Sequence, residues 1–180
     1  MRNFYMACLL FGVTFSAASS ASTVCNNGYG EVTCSKGSVD SVNANGVAKM
    51  DGTTVLQHTQ VNGSLQAQKV VLNTLTVNGD TSMSNSTVNK AARVNGALKA
   101  RNTKFLSTLT IASNNARLDK CETKDITIEK IDAPKQALKL TSTNVEGSIK
   151  FNGNNGFVYL CKGSKITGSV SGGKIVENCK

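Results

Sequence analysis

Apolar and polar residues alternate in short runs along the middle of this chain, and the runs recur at a nearly fixed interval. From Val61 the sequence reads Val-Asn-Gly-Ser-Leu, from Val77 Val-Asn-Gly-Asp-Thr, and from Val94 Val-Asn-Gly-Ala-Leu. Ile111 and Ile128 continue the column, and Val145-Glu-Gly-Ser-Ile and Ile166-Thr-Gly-Ser-Val restate the motif. Successive leaders are 16, 17, 17, 17, 17 and 21 residues apart. That period is too short for a helical hairpin repeat or a propeller blade, and it suits one coil of a β-solenoid. Side chains alternate faces along a strand, so Val61, Gly63, Leu65 and Ala67 share a side, as do Val94, Gly96, Leu98 and Ala100. Val77, Gly79, Thr81 and Met83 follow with one polar lapse. Leu75, Ala92, Leu109 and Ile126, two residues before each leader, extend the inward face, with Thr76, Arg93, Thr110 and Thr127 outward between them.

The predicted fold is all-β: a single-stranded parallel β-helix (β-solenoid) with coils of about 17 residues and disulfide-stapled ends. Each coil carries a second apolar cluster, such as Val70-Val71-Leu72 or Phe105-Leu106, so two or three short strands close a triangular or flattened section. The recurring Gly suits a bend where backbone crowds against backbone. Asn62, Asn78 and Asn95 are placed to stack as an amide ladder. The solenoid domain runs from 42 to 180, its first coil spanning Val42 to Gln60, with Gly46 ahead of Gly63 and Val55-Leu56 matched to Val71-Leu72. Residues 22–41 read as an N-terminal cap, because a solenoid leaves unpaired backbone at its ends. Between Ile111 and Asn144 the repeat weakens; Asn114-Asn115 replaces the Gly turn, and Pro134 marks a corner or edge, or else a short helix or loop packed on the rod. Asn152-Gly153-Asn154-Asn155-Gly156 reads as a protruding turn.

Composition agrees with a narrow core: aromatics make up 5% of the 180 residues and Trp is absent. Residues 1–21 read as a secretory signal, with Arg2 before an apolar stretch from Phe4 to Phe15 and small residues at a cleavage point after Ala18 or Ala21. Its roughly 12 apolar residues fall short of the roughly 20 that span a bilayer. The mature chain is therefore expected to be secreted or periplasmic, with no transmembrane segment. In an oxidising compartment cysteines pair; a Cys25–Cys34 bridge would staple the cap and a Cys161–Cys179 bridge, about one coil long, would close the C-terminal end. Cys121 is then the unpaired thiol. Without a Cys-x-x-Cys pair, and with His58 the single histidine, neither a metal nor a cofactor is expected.

Charge suggests where a partner would bind. The formal net charge is +9, and basic residues are dense from Lys90 to Lys139. The candidate polyanion-binding residues are Lys99, Arg101, Lys104, Arg117, Lys120 and Lys124. For an exported protein the expected partner is an anionic glycan or lipid surface, or another protein, rather than nucleic acid. Carboxylates from Asp119 to Asp132 alternate with lysines and read as a solvated surface, although Glu129 and Glu146, 17 apart, are spaced to stack. Paired carboxylates of that kind keep a small polysaccharide-active enzyme among the alternatives.

The Val/Ile-x-Gly-x-Val/Leu steps at Val61–Leu65, Val94–Leu98, Val145–Ile149 and Ile166–Val170 resemble those of the bactofilin type of polymer-forming β-helix. That resemblance implies a short-coil β-helix and, as a second functional expectation, end-to-end self-association. The export signal, the five mature cysteines and the capped ends depart from it. The leading expectation is a non-enzymatic, exported β-solenoid serving as a rigid binding or structural module.

Overall fold

The structure, a computed structural model, describes residues 25–177 and 179. Among them the regular elements are 22 strands and no helix. The expected export signal, residues 1–21, lies outside the described residues. β1 (Cys25–Gly28), β2 (Glu31–Cys34), β3 (Gly37–Val39), β4 (Val42–Asp51), β5 (Thr53–Gln68) and β6 (Val71–Asn78) open the chain, β4 to β6 bending around corners. From Thr81 each coil is three short strands, for example Leu98–Arg101, Lys104–Phe105 and Leu109–Ile111. Leu98 pairs in parallel with Thr81 and Ala116, Phe105 with Val88 and Thr123, and Leu109 with Ala92 and Ile126. The chain is thus a parallel β-solenoid of about nine coils. Its three faces are numbered here by the strands just given: the first contains Leu98–Arg101, the second Lys104–Phe105 and the third Leu109–Ile111.

Inward positions form continuous columns. Leu65, Thr81, Leu98, Ala116, Leu138 and Val158 stack behind the first face, and Val61, Val77, Val94, Ile111, Ile128 and Phe151 behind the third; all are buried. Each buried aliphatic contributes about 1.5–3 kcal/mol relative to exposure. The polar lapse at Thr81 is also buried, and its hydroxyl lacks a partner.

Two ladders hold the corner between the third and first faces. Asn62 donates to Asn45 (2.9 Å), Asn78 to Asn62 (2.8 Å) and Asn95 to Asn78 (2.7 Å), so the expected amide ladder forms and extends one rung further back. Beside it Gly46, Gly63, Gly79 and Gly96 stack so closely that a Cβ on Gly63 would lie 2.0 Å from the carbonyl oxygen of Gly46.

The corner between the first and second faces uses another device. Lys69, Asn85, Asn102, Lys120 and Ser142 all take positive φ there. The next residue turns inward, and Ser86, Thr103 and Thr143 each donate to the carbonyl two residues back. Cys121 occupies the same column, its Sγ 3.3 Å from the carbonyl oxygen of Asp119 and its amide donating to Thr143 Oγ1. The odd cysteine stands where its neighbours have hydroxyls.

Several expectations need correction. Val145 and Ile166 do not continue the Val61 column: Val145 pairs with Thr123 and Ile166 on the second face, whereas Ile128 pairs with Phe151. The 130–135 loop lengthens that coil, and the Val-x-Gly motif then reappears at a different corner. Glu129 and Glu146 therefore lie on different faces and do not stack. Val55 pairs with Leu72, leaving Leu56 and Val71 exposed. Parallel stacking already begins at Glu31, opposite Val47, inside the segment expected as a cap; only β1 runs antiparallel. Pro134 sits in a bend, and Asn155 Nδ2 donates to Ala133 O, so the 152–155 turn stacks on the 130–135 loop. Buried Gln136 braces that loop by donating to Ser113 O and Glu129 O. Disulfides join Cys25 to Cys34 and Cys161 to Cys179.

Gly63→Ala should destabilise the fold by at least about 2 kcal/mol, since backbone strain and a carbonyl clash combine. Gly30→Ala, with nothing near its added Cβ, should cost visibly less; equal losses in denaturant titrations would contradict the stacked-glycine account. Cys121 is 2% exposed, and burial pushes its thiol up from 9.0 to about 11. The native protein should resist maleimide until unfolded. Because the fold favours the neutral thiol, this contribution to stability is present below pH 9 and lost as pH rises toward about 11. Cys121→Ser, which matches Ser86 in the same column, should fold and remove that loss, read as the difference between the two proteins' melting temperatures across this window.

Candidate functional site

On the first face, outward positions run as a column through Gln66, Ser82, Lys99, Arg117, Lys139 and Tyr159, one residue per coil. Strand stacking sets the pitch at about 4.8 Å. Lys99, Arg117 and Lys139 are thus three consecutive cations in direct register. None of them has a carboxylate within salt-bridge distance among the described residues.

The other candidates are arranged differently. Arg101 shares the first face but donates to Asp119 in the next coil, at 3.1 Å. Lys104 and Lys124 lie toward the second face, where Lys104 meets Glu122 at 2.8 Å and Lys124 pairs with Glu146. Lys120 holds the positive-φ corner between the two faces. On the third face Arg93 reaches over Thr110 to Glu129, with Nη1 donating to Oε1 at 2.7 Å. Glu129 holds the guanidinium above its ordinary pKa. Near the N-terminus Lys49, then Thr33, hold the Glu31 carboxyl below its ordinary value through hydrogen bonds. Five cations of the rod pair with a carboxylate from another coil; the first-face ladder differs in stacking cation on cation in direct register.

Around that ladder the surface is recessed. A hollow of about 660 Å³ is lined by Arg117, Lys135, Lys139 and Tyr159, with Pro134 and Ala137 supplying apolar surface. Among the described residues its lining contains no carboxylate. A second hollow, with Ser82, Lys99, Arg101 and the Asp119 that pairs with Arg101, shares Arg117 with the first. A third, with Gln66 and Gln68, shares Ser82 and Ser84 with the second. Together they follow the first face along the rod axis.

The sequence singled out Lys99, Arg101 and Arg117 and counted Lys135 and Lys139 in the basic run, but it did not connect Lys139 or Tyr159 to the ladder. The coil interval lengthens from 18 residues at Lys99–Arg117 to 22 at Arg117–Lys139, so a fixed period misses the register. Cys121, the other predicted site residue, belongs to the buried corner column. No described helix is long and apolar enough to cross a membrane, and the two disulfides accord with an extracellular or periplasmic setting.

No family model, curated protein or solved structure matches this chain, so the reading of the site stands on its own geometry.

Proposed function

We propose that this chain is an exported, non-enzymatic β-solenoid that acts as a rigid binding module and holds an anionic partner on its first face. The observation that carries this reading is the Lys99–Arg117–Lys139 ladder. Like charges in direct register repel, and cross-strand pairs of opposite sign are the favoured alternative. Elsewhere the rod uses that alternative, at Lys104–Glu122 and Arg101–Asp119. An anionic partner would relieve the repulsion that the ladder leaves in the free protein. Five of the eleven carboxylates, Glu31, Asp119, Glu122, Glu129 and Glu146, each meet a cation from another coil, which disfavours their use as a glycosidase pair.

Self-assembly in the bactofilin manner is the second reading, favoured by the C-terminal end of the rod. The last strands, Lys165–Ile166, Val170–Ser171 and Gly173–Val176, pair with the preceding coil on one side only among the described residues, and Ile175 is 48% exposed. Light scattering at rising concentration separates the readings, since end-to-end polymers grow in mass and a binding module does not.

The mature protein should bind dextran sulfate or phosphatidylglycerol vesicles at low salt and release them as salt rises, because exposed charges are screened. Replacing Lys99, Arg117 and Lys139 together by Gln should weaken that binding by roughly a thousandfold, at about a factor of ten for each charge-assisted contact. Lys104→Gln with Lys124→Gln should leave it nearly unchanged. Failure to bind any polyanion, or indifference to salt, would overturn the reading.

A further inference from the structure

We infer that the first-face groove takes a linear acidic polysaccharide lying lengthwise along the rod, its acid groups on Lys99, Arg117 and Lys139. This rests on the anionic-partner reading and adds the class of ligand and its direction.

The hollows of this groove lie one after another along the first face. They are joined by shared lining residues, Ser82 and Ser84 at one junction and Arg117 at the next. Such a trough fits an extended chain. A flat lipid surface meets the outermost atoms first, and the ladder lies on a strand flanked by the Asn114 corner and the Pro134 loop.

The pitch of the cations also fits. They repeat at about 4.8 Å along the axis, close to the advance of one sugar ring in an extended glycan. A polymer with one carboxylate or sulfate on each ring would meet these cations in step, and one with an acid group on every second ring would reach Lys99 and Lys139. Arg117, at the centre, can present two N–H donors to one carboxylate or sulfate.

The groove changes character along its length in a way that suits sugar. Toward the N-terminal end Gln66, Gln68, Ser82 and Ser84, beside one cation (Lys49) and one carboxylate (Asp51), offer uncharged donors and acceptors, which match ring hydroxyls. Toward the C-terminal end Tyr159, Pro134 and Ala137 give apolar surface beside Lys135 and Lys139. An amphipathic sugar ring can pack its C–H face there while its acid group meets the cations. Single-stranded nucleic acid fits less well. Such sites supply successive aromatic platforms, and Tyr159 is the sole aromatic residue lining these hollows.

The test uses oligogalacturonates and heparin fragments from disaccharide to dodecasaccharide, with phosphatidylglycerol vesicles and polyphosphate in parallel. Affinity should rise with oligosaccharide length and level off once the groove is filled. Ser82→Trp leaves every cation in place and obstructs the trough at an exposed position, so it should weaken long oligosaccharides by roughly tenfold while sparing vesicles. Circular dichroism checks that the variant keeps its fold. If vesicles or polyphosphate bind but oligosaccharides do not, or if Ser82→Trp has no effect on them, the lengthwise glycan site is wrong and the anionic-partner reading survives. If none of the probes binds, both fall.

Discussion

The whole molecule depends on one requirement: nearly every backbone N–H and C=O in a coil must find its partner in the coil before or after it. A buried unpaired peptide group costs about as much as a lost hydrogen bond. The pairing therefore fixes the strands of successive coils in register, and any additional residue must leave the strands at a corner. The 130–135 loop and the 152–155 turn show this, since both emerge between paired strands and the parallel ladders resume beyond them. Lengthening at one coil is matched at the next, where Asn155 bonds to Ala133.

Registration also turns each coil position into a column, so one residue type is placed against itself or its nearest chemical equivalent. Asn gains from this, because each amide both donates and accepts, and the ladder from Asn45 to Asn95 follows. Glycine gains for a steric reason, its hydrogen leaving room for the next coil's carbonyl. Small hydroxyls gain at the opposite corner by satisfying carbonyls that the turn has freed, and a thiol at Cys121 serves nearly as well. Charge is the exception. Stacking a cation on a cation is unfavourable at about 4.8 Å unless something else neutralises it. Local rules are broken most often at functional positions, and Lys99–Arg117–Lys139 breaks this one across three coils while the pairs around it obey.

The sequence revealed the rod from Val61 to Ile128 because there the third-face column repeats at 16 or 17 residues and the same corner recurs. It misled beyond that point for a definite reason. Val145-Glu-Gly-Ser-Ile has the residues of the third-face corner but sits after the second-face strand, where its Gly147 packs beside Asp125 rather than on the glycine ladder. A short motif records the chemistry of a tight corner and not which corner it occupies. Six residues inserted ahead of it were therefore invisible to the period. The same shift hid Lys139 and Tyr159 from the basic ladder. The column of Ser86, Thr103, Cys121 and Thr143 was obscured differently, since a cysteine in a chain expected to be exported reads first as a disulfide partner.

The two disulfides act where the registration requirement is weakest. An interior coil is held on both sides, but a terminal one has half as many partners and should open first. Cys25–Cys34 ties the antiparallel β1 to the first stacked strand, and Cys161–Cys179 ties the last coil to the one beneath it. Loops this short, with sequence separations of 9 and 18, correspond to roughly 2–3 kcal/mol each in the chain-entropy description. That is comparable to what the missing partners would have supplied to a marginal coil. Stiffness then extends almost to the ends of the rod, and a groove that runs along its axis keeps its cations at fixed spacing. In the binding role proposed above, that spacing would be the recognition element, selecting a polymer by the repeat of its charges.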